Sequence, residues 1–464
     1  MFQRIVSRTL ILTALLGLGA CATVGRDYRQ PALNLPASWQ STNTGKLTDL
    51  NAWWASFSDP ALTSLLDAAQ QGSPTLEKAA AAIEKARASR TSAQAGLFPA
   101  LDASASAGYS GSLKSGTGTS RSASVGLDSS WELDLFGKTR RSVESAEALA
   151  QASVADWHDA RVSLAAEVAT TYVDYRAGRL KQAYYEEQAD SQSKTSELTA
   201  LSAKAGFSTT ADAGLAEGSA ASTRSAALAQ KTECEVLVKS LVALTGLPEN
   251  ELRLTLGTAT PDLPQPASLV VTSVPANLLR QRPDLVSAER TLASASALIG
   301  VAEAARYPSL TLSGSVSLSA AAGSAALLPW SLGPSLTLPV FDGGRIEAGV
   351  KSARADYAAA LAGYRQTVRT AVKEVEQALV RLDSMAQREE QARKSSQGYR
   401  AYLSATERNW RVGRASLLDL ETARRSAIAA DVSLLELRQN RLQYWVALYK
   451  AVGGGWNAEK GEAK

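Results

Sequence analysis

Residues 330–345 read WSLGPSLTLPVFDGGR, and the change of pattern inside this stretch decides the fold. Trp330, Leu332, Leu336, Leu338 and Val340 share one parity, with small or polar residues between them. Period-2 alternation of that kind predicts a strand with one apolar face. From Gly344 onward the pattern is helical for a long way. Earlier in the chain, residues 125–138 read VGLDSSWELDLFGK and make the same transition. Val125, Leu127, Trp131, Leu133 and Leu135 alternate, and Phe136-Gly137-Lys138 opens another long helix. Downstream of the junctions the two copies align without gaps at an offset of 207, pairing Ser145 with Ser352, Glu167 with Glu374, Val168 with Val375, Gly206 with Gly413 and Gly246 with Gly453. Upstream the offset is 209, pairing Pro74 with Pro283 and Pro99 with Pro308. One unit is used twice.

Composition agrees with long helices. Of 464 residues, 45% are hydrophobic and only 6% aromatic, so the apolar share is mostly Ala, Leu and Val. Mean hydropathy is −0.11. Residues 138–204 contain no proline and as one helix would extend about 100 Å. No proline lies between 100 and 247 or between 340 and 464, as unbroken helices require.

The first 20 residues carry Arg4 and Arg8, then an apolar run over 11–18, then Gly19-Ala20-Cys21. This is the pattern of a secretory signal. Leu18-Gly19-Ala20-Cys21 fits a bacterial lipobox, in which Cys21 becomes the acylated N-terminus; an ordinary signal with a chance cysteine is the alternative. Ala22 rather than Asp follows, so nothing argues for retention at the inner membrane. Without residues 1–20, Lys+Arg falls from 49 to 47 against 45 acidic residues, a net charge of +2. Nucleic acid is not an expected partner at that balance. Cys234 is the only other cysteine and reads as a packing residue in a helix.

The expected organisation is a signal peptide over 1–20, a lipidated tether over 21–58 and a first repeat over 59–246. A proline-rich connection over 247–275, a second repeat over 276–452 and a flexible tail over 453–464 follow. The first repeat holds helices, a β-hairpin over 100–135 and a helical hairpin over 138–245. The second holds helices, strands over 309–319 and 330–340, and a helical hairpin over 344–452. Leu310, Leu312, Val316 and Leu318 fall on the apolar face of the third strand.

Past the signal no apolar run of about 20 residues occurs, so no transmembrane helix is expected. The four alternating strands are then the only structures suited to a bilayer, where every backbone polar group needs a partner and strands must close into a barrel. Four strands cannot close alone. Two chains would give about 8 strands around a filled interior; three would give about 12, with room for water.

Three separated motifs carry a family resemblance. Residues 130–137 read SWELDLFG, residues 278–285 read LLRQRPDL and residues 447–456 read ALYKAVGGGW. The chain thereby resembles the OprM/NodT lipoprotein branch of TolC-type outer-membrane factors, over nearly its whole mature length. The resemblance implies a mainly α fold with a membrane β-barrel portion: a homotrimer with a 12-stranded barrel in the outer membrane, continued by a periplasmic α-barrel. It also implies a tripartite efflux pump, with a periplasmic membrane-fusion adaptor and an inner-membrane transporter of RND, ABC or MFS type. A duct for polypeptide secretion is the alternative in the transport class, and a structural lipoprotein without a pore is the third reading.

No catalytic constellation is expected. His158 is the only histidine, no nucleophile–base pair can be argued, and no metal or cofactor is implied. Glu167 and Glu374 repeat, but a repeated carboxylate on a helix face reads as solvated or ion-paired. Tight turns at Gly206 and Gly413 are expected at the end of the hairpins opposite the strands. After them Thr209-x-x-Asp212 and Ser416-x-x-Asp419 read as capping boxes. The resemblance places acidic residues of the returning helix at a periplasmic constriction, and Asp419 matches one such position, with Asp212 its counterpart in the first copy. A second acidic position of the family is Thr422 here, which weakens such a ring. Lys204, Gly206 and Phe207 at one turn, and Arg411, Gly413 and Arg414 at the other, are the candidate adaptor contacts. Basic residues there would also simply offset the helix dipole.

Overall fold

In the computed structural model both junctions turn a strand into a helix through a capping aspartate. Asp134 accepts hydrogen bonds from the backbone N–H of Thr139 (3.1 Å) and Arg140 (2.9 Å). Asp342 accepts from Gly344 (2.9 Å) and Ile346 (2.7 Å). These N–H groups have no partner inside the helix, so a carboxylate satisfies them and sits at the positive end of the dipole. Gly137 and Gly344, one offset of 207 apart, have φ of 81° and 90°. Left-handed backbone of this kind is open to glycine and strained for most residues.

The structure describes residues 23–32, 53–111, 119–259, 262–264, 266, 276–321 and 325–455. The signal, Cys21 and residues 456–464 of the expected tail lie outside them. In chain order the elements are α1 (Pro60–Gly72), α2 (Pro74–Ala95), β1 (Ala100–Ser110), β2 (Ser120–Leu133), α3 (Lys138–Lys204), α4 (Thr210–Thr245) and α5 (Glu249–Gly257). The second half adds α6 (Pro283–Ala304), β3 (Ser309–Ala321), β4 (Trp330–Thr337), α7 (Arg345–Arg411) and α8 (Leu417–Ala451). The duplication is visible residue for residue. Helices α2 and α6 have 22 residues each, and α3 and α7 have 67 each, beginning at the expected offsets.

The four strands form one antiparallel sheet in the order β1-β2-β3-β4, so β2 of one copy pairs with β3 of the other. The ladder of β4 stops at Thr337, short of the expected 340. Pro339 has no N–H to continue it. A second difference concerns α6. By length and composition this helix could cross a membrane, contrary to the expectation of no such helix. Its contacts are those of a core helix. Leu285, Leu292 and Ala297 are buried, Glu289 accepts from the Tyr28 hydroxyl at 2.6 Å, and Ser294 bonds Ser145 at 2.8 Å.

The chain divides into two compact units, each drawing on both copies. One takes Met1–Leu33, Ala79–Asp156 and Asp284–Val368; the other takes Asn34–Lys78, Trp157–Pro283 and Arg369–Lys464. The sheet belongs to the first. In the second, Leu62, Leu65 and Leu66 of α1 are buried, as are Val168, Tyr172 and Val173 of α3, each set at helical spacing. Trp53 stacks on Trp445 at 4.4 Å. Asp59 is held inside by three uses at once: it caps α1 through Ala61 N–H (3.0 Å), accepts from the Tyr172 hydroxyl (2.7 Å) and pairs with Arg176 (3.1 Å). A buried carboxylate survives only with such full pairing.

Candidate functional site: an amphipathic sheet and two helical turns

Antiparallel partners project to the same face, so the register sorts the sheet into two surfaces. One carries Tyr109, Ala107, Ala105, Ala103 and Leu101 on β1, which pair with Arg121, Ala123, Val125, Leu127 and Ser129 on β2. Continuing across, Leu127 meets Val316 and Val316 meets Trp330, while Leu133 meets Leu310 and Leu310 meets Leu336. This face is apolar and open: Trp330 is 76% exposed, and Leu101, Val125, Leu332 and Leu336 are exposed with it. The opposite face is almost entirely Ser, Gly, Thr, Asp and Glu. Its side chains bond one another, Ser106 to Ser124 at 2.8 Å, Ser315 to Ser331 at 2.8 Å and Ser104 to Asp128 at 3.3 Å. Among the described residues the outer edges of β1 and β4 have no neighbouring strand. An exposed apolar face with two open edges suits neither water nor an isolated sheet in lipid.

The N-terminal segment is clipped beside the first junction. Arg141 donates to the carbonyls of Val24 (3.2 Å) and Gly25 (3.0 Å) and to Asp27 (2.9 Å). Val24 N–H donates to Phe136 O at 2.9 Å. A Cβ on Gly137 would lie 2.5 Å from Thr23. The glycine therefore permits both the bend and the close approach of the segment.

The two helical turns are alike in detail. At the first, Phe207 N–H donates to Ser202 O (2.9 Å) and Gly206 N–H to Ala203 O (3.0 Å); at the second, Arg414 bonds Asn409 (2.8 Å) and Gly413 bonds Trp410 (3.0 Å). Both are Schellman motifs, with φ of 77° at Gly206 and 73° at Gly413. The capping boxes are complete. Asp212 accepts from Thr209 Oγ1 (2.7 Å) and N (3.2 Å), and Asp419 accepts from Ser416 Oγ (2.6 Å) and N (3.0 Å). These hydrogen bonds from the capping residue hold both carboxyls below the usual carboxylate range. Lys204 ends α3 and Arg411 ends α7. Phe207 is exposed, as is Arg414.

Arg424 was not singled out from the sequence. Only 18% exposed, it donates to Thr195 of α3 (2.9 Å) and Glu421 (3.0 Å), and pairs with Glu407 of α7 (3.8 Å). Arg282, quoted only within a motif, caps the end of α8 through Ala451 O (2.7 Å) and pairs with Glu374 of α7 (2.9 Å). Of the two readings open for a repeated helix-face carboxylate, solvated or ion-paired, Glu374 takes the second. His158 is half-buried, and burial with Arg161 nearby pushes its pKa down to about 4. Among the described residues no group of acidic, His and Cys side chains could hold a metal.

A membrane sheet joined to proline-free helical hairpins is the architecture of an outer-membrane channel. The model of the outer membrane efflux protein family matches twice, over residues 65–247 and 274–454, and the chain belongs to that family. It is 32% identical over 450 residues to nodulation protein T of Rhizobium leguminosarum bv. trifolii, covering 95% of this chain and 96% of that one. It is 31% identical over 484 residues to the solvent efflux pump outer membrane protein SrpC of Pseudomonas putida, covering 98% and 99%. Among solved structures it is similar to the outer-membrane channel OprN, with a TM-score of 0.81 and 31% identity, covering 94% of this chain and 100% of that one. The chain is an outer-membrane efflux channel protein that extends into the periplasm. The reading as a structural lipoprotein without a pore is thereby set aside.

Proposed function

We propose that three copies pool their four-stranded sheets into a barrel of about 12 strands, apolar face to lipid and serine-rich face to water. The observation that carries this reading is the sheet itself. Its apolar face is continuous across all four strands, and pairing β4 of one copy with β1 of the next would satisfy both open edges. The trimer would serve a tripartite system as a passive duct, receiving cargo from an inner-membrane transporter of RND, ABC or MFS type through a periplasmic adaptor. The adaptor would meet the turns at Lys204, Gly206 and Phe207 and at Arg411, Gly413 and Arg414. Cargo would be small organic molecules, as the name of the solvent-efflux relative suggests.

Two further assignments belong to this reading. Cys21 would carry the lipid, and the clip at Val24 and Gly25 supports it, because Thr23, which touches Gly137 close after β2, is two residues from Cys21. Asp419 would contribute one carboxylate per chain to a cation-favouring ring at the periplasmic constriction, with Asp212 as its first-copy counterpart. Crosslinking of the purified protein, followed by planar-bilayer recording, tests the assembly. A trimer with stable conductance is the expected result; a monomer without conductance would refute it. Mass spectrometry of the mature N-terminus should find acylated Cys21.

A further inference from the structure

The open edges of β1 and β4 fit each other in one register, taking as given the reading above that copies of the chain close the barrel. Pro99 and Pro308 each stand one residue before a strand, so β1 and β3 are related by an offset of 209. The hairpin registers then fix the other offset. Ala100 opposite Ser130 in the first copy becomes Ser309 opposite Thr337 in the second, so β2 and β4 are related by 207. Even a side-chain bond repeats: Ser106 to Ser124 and Ser315 to Ser331 are both 2.8 Å and stand at these offsets. The sheet is therefore two equivalent hairpins joined through β2 and β3.

That joint can be made again between chains, because β4 is the equivalent of β2, and β1 of the next chain is the equivalent of β3. Moved by the two offsets, Val125 opposite Leu318 becomes Leu332 opposite Tyr109, and Asp128 opposite Ser315 becomes Ser335 opposite Ser106. We infer that β4 pairs with β1 of a second copy in this register. The faces agree: Leu332 and Leu336 meet Tyr109 and Ala105 of the next chain, whereas a one-residue slip would turn serines to the apolar side. The backbone agrees as well. Ser319 and Leu327 exchange both backbone hydrogen bonds at 2.9 Å. By alternation along the same register, odd-numbered residues of β4 bond β3, and even-numbered ones turn N–H and C=O to the open edge. Pro339 therefore ends the β3 ladder but leaves the open edge intact. Leu338 and Val340, exposed beyond that ladder, reach Ala103 and Leu101 of the next chain. Pro334 leaves one interchain bond unmade. Across the chain, Leu101 leads through Ser129, Gly314 and Leu332 to Tyr109 of the next copy. That displacement along the strand is the stagger that closing a barrel requires.

The test uses the full-length protein in a C234S background, with pairs of cysteines drawn from Ser104, Ser106, Ser335 and Thr337 on the polar face. S106C/S335C and S104C/T337C are in register. They fall in the closer, non-hydrogen-bonded class of pair, about 4.5 Å between Cα atoms and within disulfide range. S104C/S335C and S106C/T337C are slipped to the diagonal, about 7–8 Å and outside that range. Within one chain β1 and β4 lie three strand spacings, about 14 Å, apart, so any bridge is interchain. After mild oxidation, non-reducing gels should show about tenfold more covalent trimer for the in-register pairs than for the slipped ones. Bridging that favours a slipped pair, or that fails in all four variants, overturns the register. Where amine crosslinking of the same samples still gives a trimer, the assembly stands and its register alone falls. Absence of a crosslinked trimer from the wild type would overturn both.

Discussion

Residues 206–212 and 413–419 make the same turn with the same hydrogen bonds, yet the helices that leave them carry different surfaces. After the second turn come Glu421, Arg424 and Arg425, and Arg424 ties α8 to α3 and α7. After the first, the corresponding positions are Gly214, Glu217 and Gly218, with a cavity beside them. The strands repeat the lesson. Val316 in the second copy corresponds to Ala107 in the first and Leu312 to Ala103, so β3 carries heavier apolar side chains than β1. Duplication preserved what sets the backbone, the left-handed glycines and the caps, and released what sets the contacts.

The largest test of this comparison is in the sheet. Val316→Arg, near the middle of β3, should cost about 2–4 kcal/mol per chain if it lies at the bilayer midplane, whereas Ala107→Arg, near the end of β1, should cost about 0–1 kcal/mol. Heat-resistant trimer in outer-membrane fractions would report the difference. Equal losses would mean that the two faces are not arranged about a common midplane.

Next come the turns, where the copies should behave alike. Gly206→Ala and Gly413→Ala each force a left-handed alanine, at about 1–2 kcal/mol. Nothing lies within 4 Å of either new Cβ, so the cost is in the backbone alone. Thermal melts of the two variants should fall together, and a large gap would show that one turn bears a contact the other lacks. Arg424→Ala should then separate the copies, losing about 1 kcal/mol because this cation is partly exposed, while Glu217→Ala stays within about 0.5 kcal/mol. Hydrogen exchange at the start of α8 should quicken only in the first.

The smallest effect concerns the capping carboxylates. Both are held below the usual range, so their contribution is present above the unfolded carboxyl's pKa and is lost as pH falls through the lower folded one. Asp212→Asn and Asp419→Asn should both flatten that acid limb of stability. A drop in cation selectivity confined to Asp419→Asn, measured in single-channel recordings, would place it at the constriction; equal, negligible changes would leave it a cap.

Much of this protein is local and hence readable in one dimension. Alternation over 125–135 and 330–337 names the strands, glycines 206 and 413 name the turns, and Thr209-x-x-Asp212 and Ser416-x-x-Asp419 name the caps, because each depends on residues a few positions apart. The duplication and the family motifs carry the class of protein as well. Tertiary structure alone decided the rest. Arg424 and Thr195 are 229 positions apart, Arg282 reaches Glu374 across 92, and Tyr172 finds Asp59 across 113. No periodicity encodes such pairs, since a charged side chain on a helix face looks the same in sequence whether it meets water or a partner. The cavity beside Gly214 and Gly218 arises likewise from where three helices converge, α3, α4 and α8, whose lining residues lie far apart in the sequence.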